Sequence, residues 1–384
     1  MKTGLNNLFE KIFQLKDEYI NFLVDICNIE SPSDNKEGID AVSRYICEKA
    51  GVFGWKIEIQ SQQVSGNCVC ITMNPEADGE SVCFSGHMDT VHPVGLFGYP
   101  AVKMDDEKIY GPGVLDCKGG IAAAFLAMRA LYECGFDIRP VKLILQSDEE
   151  VSSVFSDRTT VAFMAEKAAG CVAFLNCEPH YTGAATLERK GICKYEFSIT
   201  GKSAHSGVCY NGVNAILEAA RKIIELEKHK DPDGITVNCG TISGGTKDNT
   251  VPEKCVFTVD SRFKTFSQMQ EIDRIMKEIA NKSFVEGTQC LLTLKSSRIS
   301  MEKNDRNFRL LERINEIYKD NDLMTLNNSS SNGGSDAADM SARGIPCIDS
   351  VGMTGGNIHS RDEFAYISSL AEAAKRLAAV AYCI

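Results

Sequence analysis

Residues 81–91 read SVCFSGHMDTV, and residues 111–134 read GPGVLDCKGGIAAAFLAMRALYEC. The first is a short apolar run that closes on His87 and Asp89, the pattern of a strand bounded by turn residues. The second opens with a glycine-dense turn and continues as Gly119–Cys134, whose small apolar residues read as a buried helix. Further along, Val141–Gln146 (VKLILQ) and Cys171–Asn176 (CVAFLN) repeat the apolar run in the form found where a sheet is covered on both faces. Upstream, Lys56–Gln60 and Asn67–Met73 read as strands, and Leu8–Ile29 and Ile39–Ala50 as helices. Strands alternating with helices predict an α/β layer with a mostly parallel central sheet.

Between about residues 191 and 300 the pattern changes. Cys193–Thr200, Thr236–Ser243, Val251–Phe263 and Cys290–Lys295 are strand-like, while Gly212–Glu227 and Phe266–Ala280 are helical. That order, β-α-β-β-α-β, is the split ferredoxin-like arrangement and suffices for a complete domain of roughly 100 residues. Arg306–Lys319, Pro346–Ser350 and Ser368–Tyr382 then resume helix, strand and helix, and Asn327–Ser335 reads as a polar loop. The expectation is one α/β domain, residues 1–190 and 301–384, interrupted by an inserted α+β domain, residues 191–300.

Composition narrows the function. A chain of 384 residues holds two or three domains at about 150 residues each. Its net charge of −11 argues against a nucleic-acid binder, which needs a basic face. No CxxC pair occurs among the 16 cysteines, which removes the usual signature of zinc ribbons and redox pairs. Cys27, Cys83, Cys171 and Cys347 lie inside apolar runs, as free thiols do in a reducing cytosol. The start, MKTGLNNLFEKIFQLKDEY, interrupts its apolar residues with charges and is not a secretory signal. The most apolar stretch, Gly119–Met128, is well short of the roughly 18 residues that cross a bilayer. A cytoplasmic protein without a membrane partner is expected.

Five places combine metal-ligand side chains with strand ends or glycine turns: Ser85–Thr90, Gly111–Gly120, Gln146–Glu150, Asn176–His180 and Gly355–Glu363. Four of them are expected at the carboxyl ends of strands, where open α/β sheets gather ligands. Together they offer His87, Asp116, Glu150, Glu178 and His359, with Glu149 adjacent. Two divalent ions sharing a bridging carboxylate need about that many ligands.

The order HMDTV, GPGVLDCKGG, DEE, EP and GGNIHS resembles the M20 metallopeptidase and aminoacylase family. Its members include carboxypeptidase G-type enzymes, acetylornithine deacetylase, succinyl-diaminopimelate desuccinylase and peptidase T. The resemblance runs over essentially the whole chain and implies a zinc-peptidase-like catalytic domain with an inserted lid and dimerisation domain. It implies that His87 and Glu178 bind one ion, Glu150 and His359 the other, and that Asp116 bridges them across a cis Asp116–Cys117 bond. The ions would most readily be zinc, with cobalt or manganese possible.

Asp89 would accept the second ring N–H of His87 and so orient it. Glu149 would be the general base, taking a proton from the attacking water and passing it to the leaving nitrogen. In the insert, His205 of GKSAHSG matches a lid histidine that supports an oxyanion, reaching towards the other subunit of a homodimer. Asn249 and Arg262 match positions that grip substrate, Arg262 by a two-point carboxylate clamp. The loop Gly333-Gly334 would offer backbone N–H groups to the same carboxylate. Cys117 reads as a packed thiol and Trp55 as part of the first domain's core.

The implied activity is hydrolysis of a peptide or N-acyl amide bond beside a free carboxylate, on a small peptide or N-acyl amino acid. Two further readings are a single-metal N-carbamoyl-amino-acid amidohydrolase and a binding protein that no longer hydrolyses.

Overall fold

The computed structural model describes residues 2–232 and 234–384. The chain divides into two compact units. The first contains the residues up to Leu187, Lys303–Ser330 and Ser335–Ile384; the second is Glu188–Glu302 with Ser331–Gly334. Residues 331–334, expected with the catalytic domain, group with the second unit. Arg189 explains why: its Nη1 donates to the carbonyls of Gly333 and Gly334, both at 3.4 Å.

In the first unit a six-stranded sheet runs Lys56–Gln60, Cys68–Met73, Val141–Gln146, Val82–His87, Ala173–Asn176, Cys347–Ile348. The last four are mutually parallel, and the first two pair antiparallel at one edge. The sheet is mostly parallel, as the alternation of strands and helices predicts. Cys68–Met73 and Val82–His87 are buried at every position, because helices cover both faces. The helices Lys2–Asn28, Lys118–Glu133 and Ser368–Cys383 supply much of that cover, with the aromatic cluster of Phe22, Trp55 and Phe125 between elements.

One glycine sets how closely a helix approaches the carboxyl end of this sheet. A Cβ on Gly120 would lie 1.9 Å from the carbonyl oxygen of Cys177, so only glycine lets the helix Lys118–Glu133 rest against the segment leading to Glu178. Asn327–Ser331, expected as loop, is a strand paired with Ala184–Arg189. Its residues are poor strand formers on propensity, and the pairing, anchored by Asn327 N–H on Gly183 O at 2.8 Å, overrides that.

The second unit is a four-stranded antiparallel sheet ordered Thr236–Gly244, Lys254–Phe263, Gly191–Thr200, Gln289–Arg298, with helices Ala215–Leu226 and Phe266–Asn281. Numbered by sequence, the strand order is 2-3-1-4, the ferredoxin-like order. Burial alternates along Lys254–Phe263, as it must when helices cover a single face. Phe197 and Phe257 stack on that face with ring centres 4.6 Å apart.

Candidate active site

Three neighbouring parallel strands carry the site. Val141–Gln146, Val82–His87 and Ala173–Asn176 lie side by side, with His87 opposite Gln146 and Ser85 opposite Asn176. Strands spaced about 4.8 Å apart therefore deliver His87, Glu149-Glu150 and Glu178 to one end of the sheet. The Asp116 turn arrives differently. It follows Lys108–Tyr110, a strand of a separate antiparallel sheet, so four motifs follow strands and three of these strands are central in the parallel sheet. The Asp116–Cys117 peptide bond is cis.

Asp116 stands between two imidazoles. Its Oδ1 is 3.0 Å from His87 Nε2, and its Oδ2 is 3.3 Å from His359 Nε2. Glu178 Oε1 lies 3.7 Å from the same nitrogen of His87, and Glu150 Oε2 lies 3.2 Å from that of His359. The five residues thus form two groups that share Asp116. His359 reaches its place from a left-handed backbone conformation, φ 60°, which a side-chain-bearing residue adopts only when its surroundings impose it.

Asp89 does more than face its histidine. His87 Nδ1 is 3.0 Å from the Asp89 backbone carbonyl and 3.4 Å from its carboxylate. That carboxylate accepts the backbone N–H groups of Glu149 and Glu150, both at 3.1 Å, and the Ser33 hydroxyl at 2.7 Å. It therefore sets the turn that brings both glutamates to the sheet end, although they would point to opposite faces of an extended chain.

The charge balance is unusual. Asp89, Asp116, Glu149, Glu150 and Glu178 are withdrawn from solvent around two imidazoles. Burial, with Asp116 and Glu149 adding, pushes Glu150 up to about 7, and burial with Asp116 pushes Glu178 well above the ordinary range. Burial works the same way on Asp116, but hydrogen bonds from His359 and His87 outweigh it and hold that carboxyl below its usual value. Asp116 and Glu150 in turn hold His359 up at about 10. Burial pulls His87 down, yet the surrounding negative groups hold it well above the normal imidazole value.

Buried carboxylates in such excess need cations. One donor atom each of His87, Asp116 and Glu150 lies within 4.8 Å of the others, and Glu150 Oε1 is buried without a hydrogen-bond partner. Imidazole with carboxylate is a donor set suited to zinc and similar divalent ions, so the residues fit such a group. Cys117 is also within ligand range of His87 and Glu178. Burial pushes its thiol well up, and it donates to the Cys177 carbonyl at 3.2 Å, as a packed thiol does.

The remaining expected residues belong to the second unit. His205 is exposed, starts the short helical turn Ser206–Asn211, and accepts the Gly207 N–H at its Nδ1. Its backbone pairs with Thr250, and Ser206 N–H donates to Asn249 O at 2.9 Å, so His205 and Asn249 are neighbours. Arg262 is set apart from them, with its guanidinium fork on Asp260 at 2.7 and 3.0 Å. Gly333 N–H donates to Ser331 Oγ at 3.2 Å.

Two site residues escape a motif reading. Glu363 is buried; its Oε1 accepts the N–H groups of Leu115 and Asp116 at 2.9 and 3.0 Å, and its Oε2 is 2.9 Å from His92 Nε2. It ties the loop of His359 to the loop of Asp116. Glu363 stands inside the last motif, but nothing in its spacing points at residues 115 and 116, and His92 lies outside every motif. Glu363→Ala strands two buried donors at about 1–3 kcal/mol each, so a loss of roughly 3 kcal/mol or more is expected in urea unfolding of the metal-free protein. Glu363→Gln keeps an acceptor for both N–H groups and should lose less than half as much. Equal losses would show that the lock on the Asp116 loop is not what Glu363 contributes.

The comparisons with known proteins agree on kind. The profile of Peptidase family M20/M25/M40 matches residues 83–382. Carboxypeptidase G2 of Pseudomonas sp. (strain RS-16) is 25% identical over 373 residues, covering 95% of this chain and 89% of the relative. Succinyl-diaminopimelate desuccinylase of Rickettsia massiliae is 24% identical over 285 residues, covering 68% and 73%. Among solved structures, a tripeptidase of Staphylococcus aureus has a TM-score of 0.79 at 21% identity, covering 96% of this chain and 98% of that one. The aminopeptidase PepT of Bacillus cereus has a TM-score of 0.76 at 21% identity, with the same coverage.

Proposed function

The chain belongs to peptidase family M20/M25/M40, metal-dependent hydrolases of peptide and amide bonds, and from that premise we propose a di-metal hydrolase acting beside a free carboxylate. One observation carries the reading: the two oxygens of Asp116 face two different imidazoles, each with its own glutamate. His87, Glu178 and Asp116 would hold one ion, and Glu150, His359 and Asp116 the other, with zinc the best match to the donors. When bound, the ions supply Lewis acidity for an amide carbonyl and make water a better acid.

The chain's own groups would do the rest. Glu149 takes one proton as a water oxygen bonds to the carbonyl carbon. It returns that proton to nitrogen as the C–N bond breaks, leaving a carboxylic acid and an amine. Asp89 holds the backbone of Glu149 and Glu150 in place throughout. His205 would donate to the oxyanion from a homodimer partner, while Asn249, Arg262 and the Gly333-Gly334 backbone would hold the substrate carboxylate. Arg262 must then leave Asp260 or share its fork with it.

The substrate class is a dipeptide, short peptide or N-acyl amino acid, as the names of the relatives suggest. All sixteen cysteines are free, which supports a reducing compartment such as the cytoplasm, and no helix among the described residues is long and apolar enough to cross a membrane.

The deciding experiment joins metal analysis to a screen of dipeptides and N-acetyl, N-succinyl and N-carbamoyl amino acids. Two equivalents of metal with turnover of a peptide or N-acyl substrate are expected. One equivalent with N-carbamoyl turnover alone would replace this reading with the single-metal amidohydrolase, and metal without any turnover would favour a binding protein.

A further inference from the structure

Lys118 stands two residues after Asp116 and is 0% exposed, a place lysine almost never takes. Its amine spends its hydrogen bonds on backbone: Nζ donates to the carbonyls of Ile26 and Ile29, both at 2.9 Å. Ile26 lies in the last turn of the helix Lys2–Asn28, where carbonyls find no partner within the helix. The backbone of the lysine is fixed too, by its N–H on Gly113 O at 2.9 Å. One side chain therefore joins the Asp116 turn to the end of that helix.

The chain that leaves the helix then holds a second ligand motif. Ser31 O accepts the Thr90 N–H at 2.9 Å, Ser33 N–H donates to Thr90 O at 3.2 Å, and Pro32 forms a parallel bridge with Thr90. The Ser31 hydroxyl donates to Met88 O and the Ser33 hydroxyl to Asp89 Oδ2, both at 2.7 Å. These contacts fall on the three residues directly after His87, and Asp89 in turn accepts the N–H groups of Glu149 and Glu150. Both serines are buried, so water does not compete for their bonds. Residues 29–33 supply none of the proposed ligands, yet the segments bearing His87, Asp116 and Glu150 are all fastened to them or through them.

We propose that Lys118 is a positioning residue: with Ser31 and Ser33 it forms a clasp that sets His87, Asp116 and Glu150 at metal-binding distance before an ion arrives. The inference rests on the metal-site reading above and names what makes that site rigid. Carboxylates buried together repel one another, so unheld ligands would separate and each ion would have to draw them together. The clasp does that work during folding. A positive charge beside the site would by itself disfavour a metal ion, so any help from Lys118 comes through geometry.

The test is the zinc affinity of the metal-stripped protein, read by competition with a chromogenic chelator, with urea unfolding measured beside it. Lys118→Met keeps most of the stem and removes the donors; it should weaken zinc binding about 10–100-fold, the usual worth of a group that orients metal ligands. Ser33→Ala should weaken it about tenfold. Because both act through one clasp, the double variant should lose much less than the product of the two. Zinc affinity in Lys118→Met equal to wild type or tighter overturns the proposal, since the lysine would then serve stability alone or act by its charge. Losses that multiply in full overturn it as well, because two separate supports would be at work.

Should Lys118→Met not fold, Ser31→Ala and Ser33→Ala decide, and wild-type affinity in both overturns the clasp. A wild-type protein that takes up no zinc removes the metal site and the clasp together. Wild type that binds zinc, with variants that bind it equally well, removes the clasp alone.

Discussion

Glu149→Gln is expected to keep its full complement of metal while turnover of any peptide or N-acyl substrate falls by about 10²–10⁴-fold, the usual contribution of a positioned proton carrier. The substitution removes the basicity of the side chain and keeps its backbone anchors. Glu149 is anchored through its backbone, by N–H on Asp89 Oδ1 and by its carbonyl on Ser152 N–H, and Gln leaves both bonds in place. The charge of Glu149 adds to the rise of the carboxyls of both Glu150 and Glu178, so it is felt by a glutamate of each proposed ligand group. The other carboxylates of the cluster already have work to do. Asp89 is occupied by two N–H groups and a hydroxyl, and Asp116, Glu150 and Glu178 each face an imidazole.

The loss should therefore fall on kcat with KM little changed, and atomic emission should count the same metal per chain as in wild type. Glu150→Gln makes the contrast, because it should cost metal as well as turnover. Turnover of Glu149→Gln within about threefold of wild type would remove this residue from the proton path.

Much of this is legible in the sequence because the site is built from strand ends. An apolar run that stops at a polar residue marks where a strand leaves the sheet, and three such ends on adjacent strands bring His87, Glu150 and Glu178 to one end of it, with the Asp89 carboxylate setting the turn that carries Glu150. The five motifs in order also suffice to point to the family that the profile match establishes. The ferredoxin-like order of the insert follows from periodicity alone, since each of its strands and helices is long enough to show its period.

What stays hidden depends on tertiary contact. Glu363 and His92 lie 271 residues apart, and their pairing is a property of two loops that no local pattern encodes. Asp89 reads in sequence as a partner for the His87 ring, whereas its carboxylate chiefly accepts two N–H groups from a turn 60 residues away. Asn327–Ser331 has the composition of a loop and becomes a strand only because Ala184–Arg189 offers it a ladder. The left-handed serines after Glu150 are equally silent, because serine does not advertise a positive φ as glycine does.

Asp116→Asn should have the largest effect on metal binding. An Asn side chain matches Asp in shape but offers one acceptor oxygen and an NH₂ group. Whichever way it turns, one of the two imidazole groups, 3.0 Å from Oδ1 and 3.3 Å from Oδ2, faces a donor where it had a carboxylate oxygen. In the proposed di-metal site the shared negative charge would be lost to both ions at once. Metal content should fall from two equivalents to below one, and turnover should drop by at least about 10⁴-fold, beyond what loss of one acid–base group explains.

Thermal unfolding reads the same event without activity. A ligand present at 1,000 times its dissociation constant stabilises the folded state by about 4 kcal/mol, so zinc should raise the melting temperature of wild type and leave that of Asp116→Asn nearly where it was. Glu178→Gln and His359→Asn give the necessary comparison. Each disturbs the ligands of one ion only, so each should retain about one equivalent and part of the thermal shift. If Asp116→Asn still bound two equivalents, or lost no more than His359→Asn does, the carboxylate would serve one ion and not both. The pairing of two imidazoles across it would then be a hydrogen-bonded arrangement of the metal-free chain.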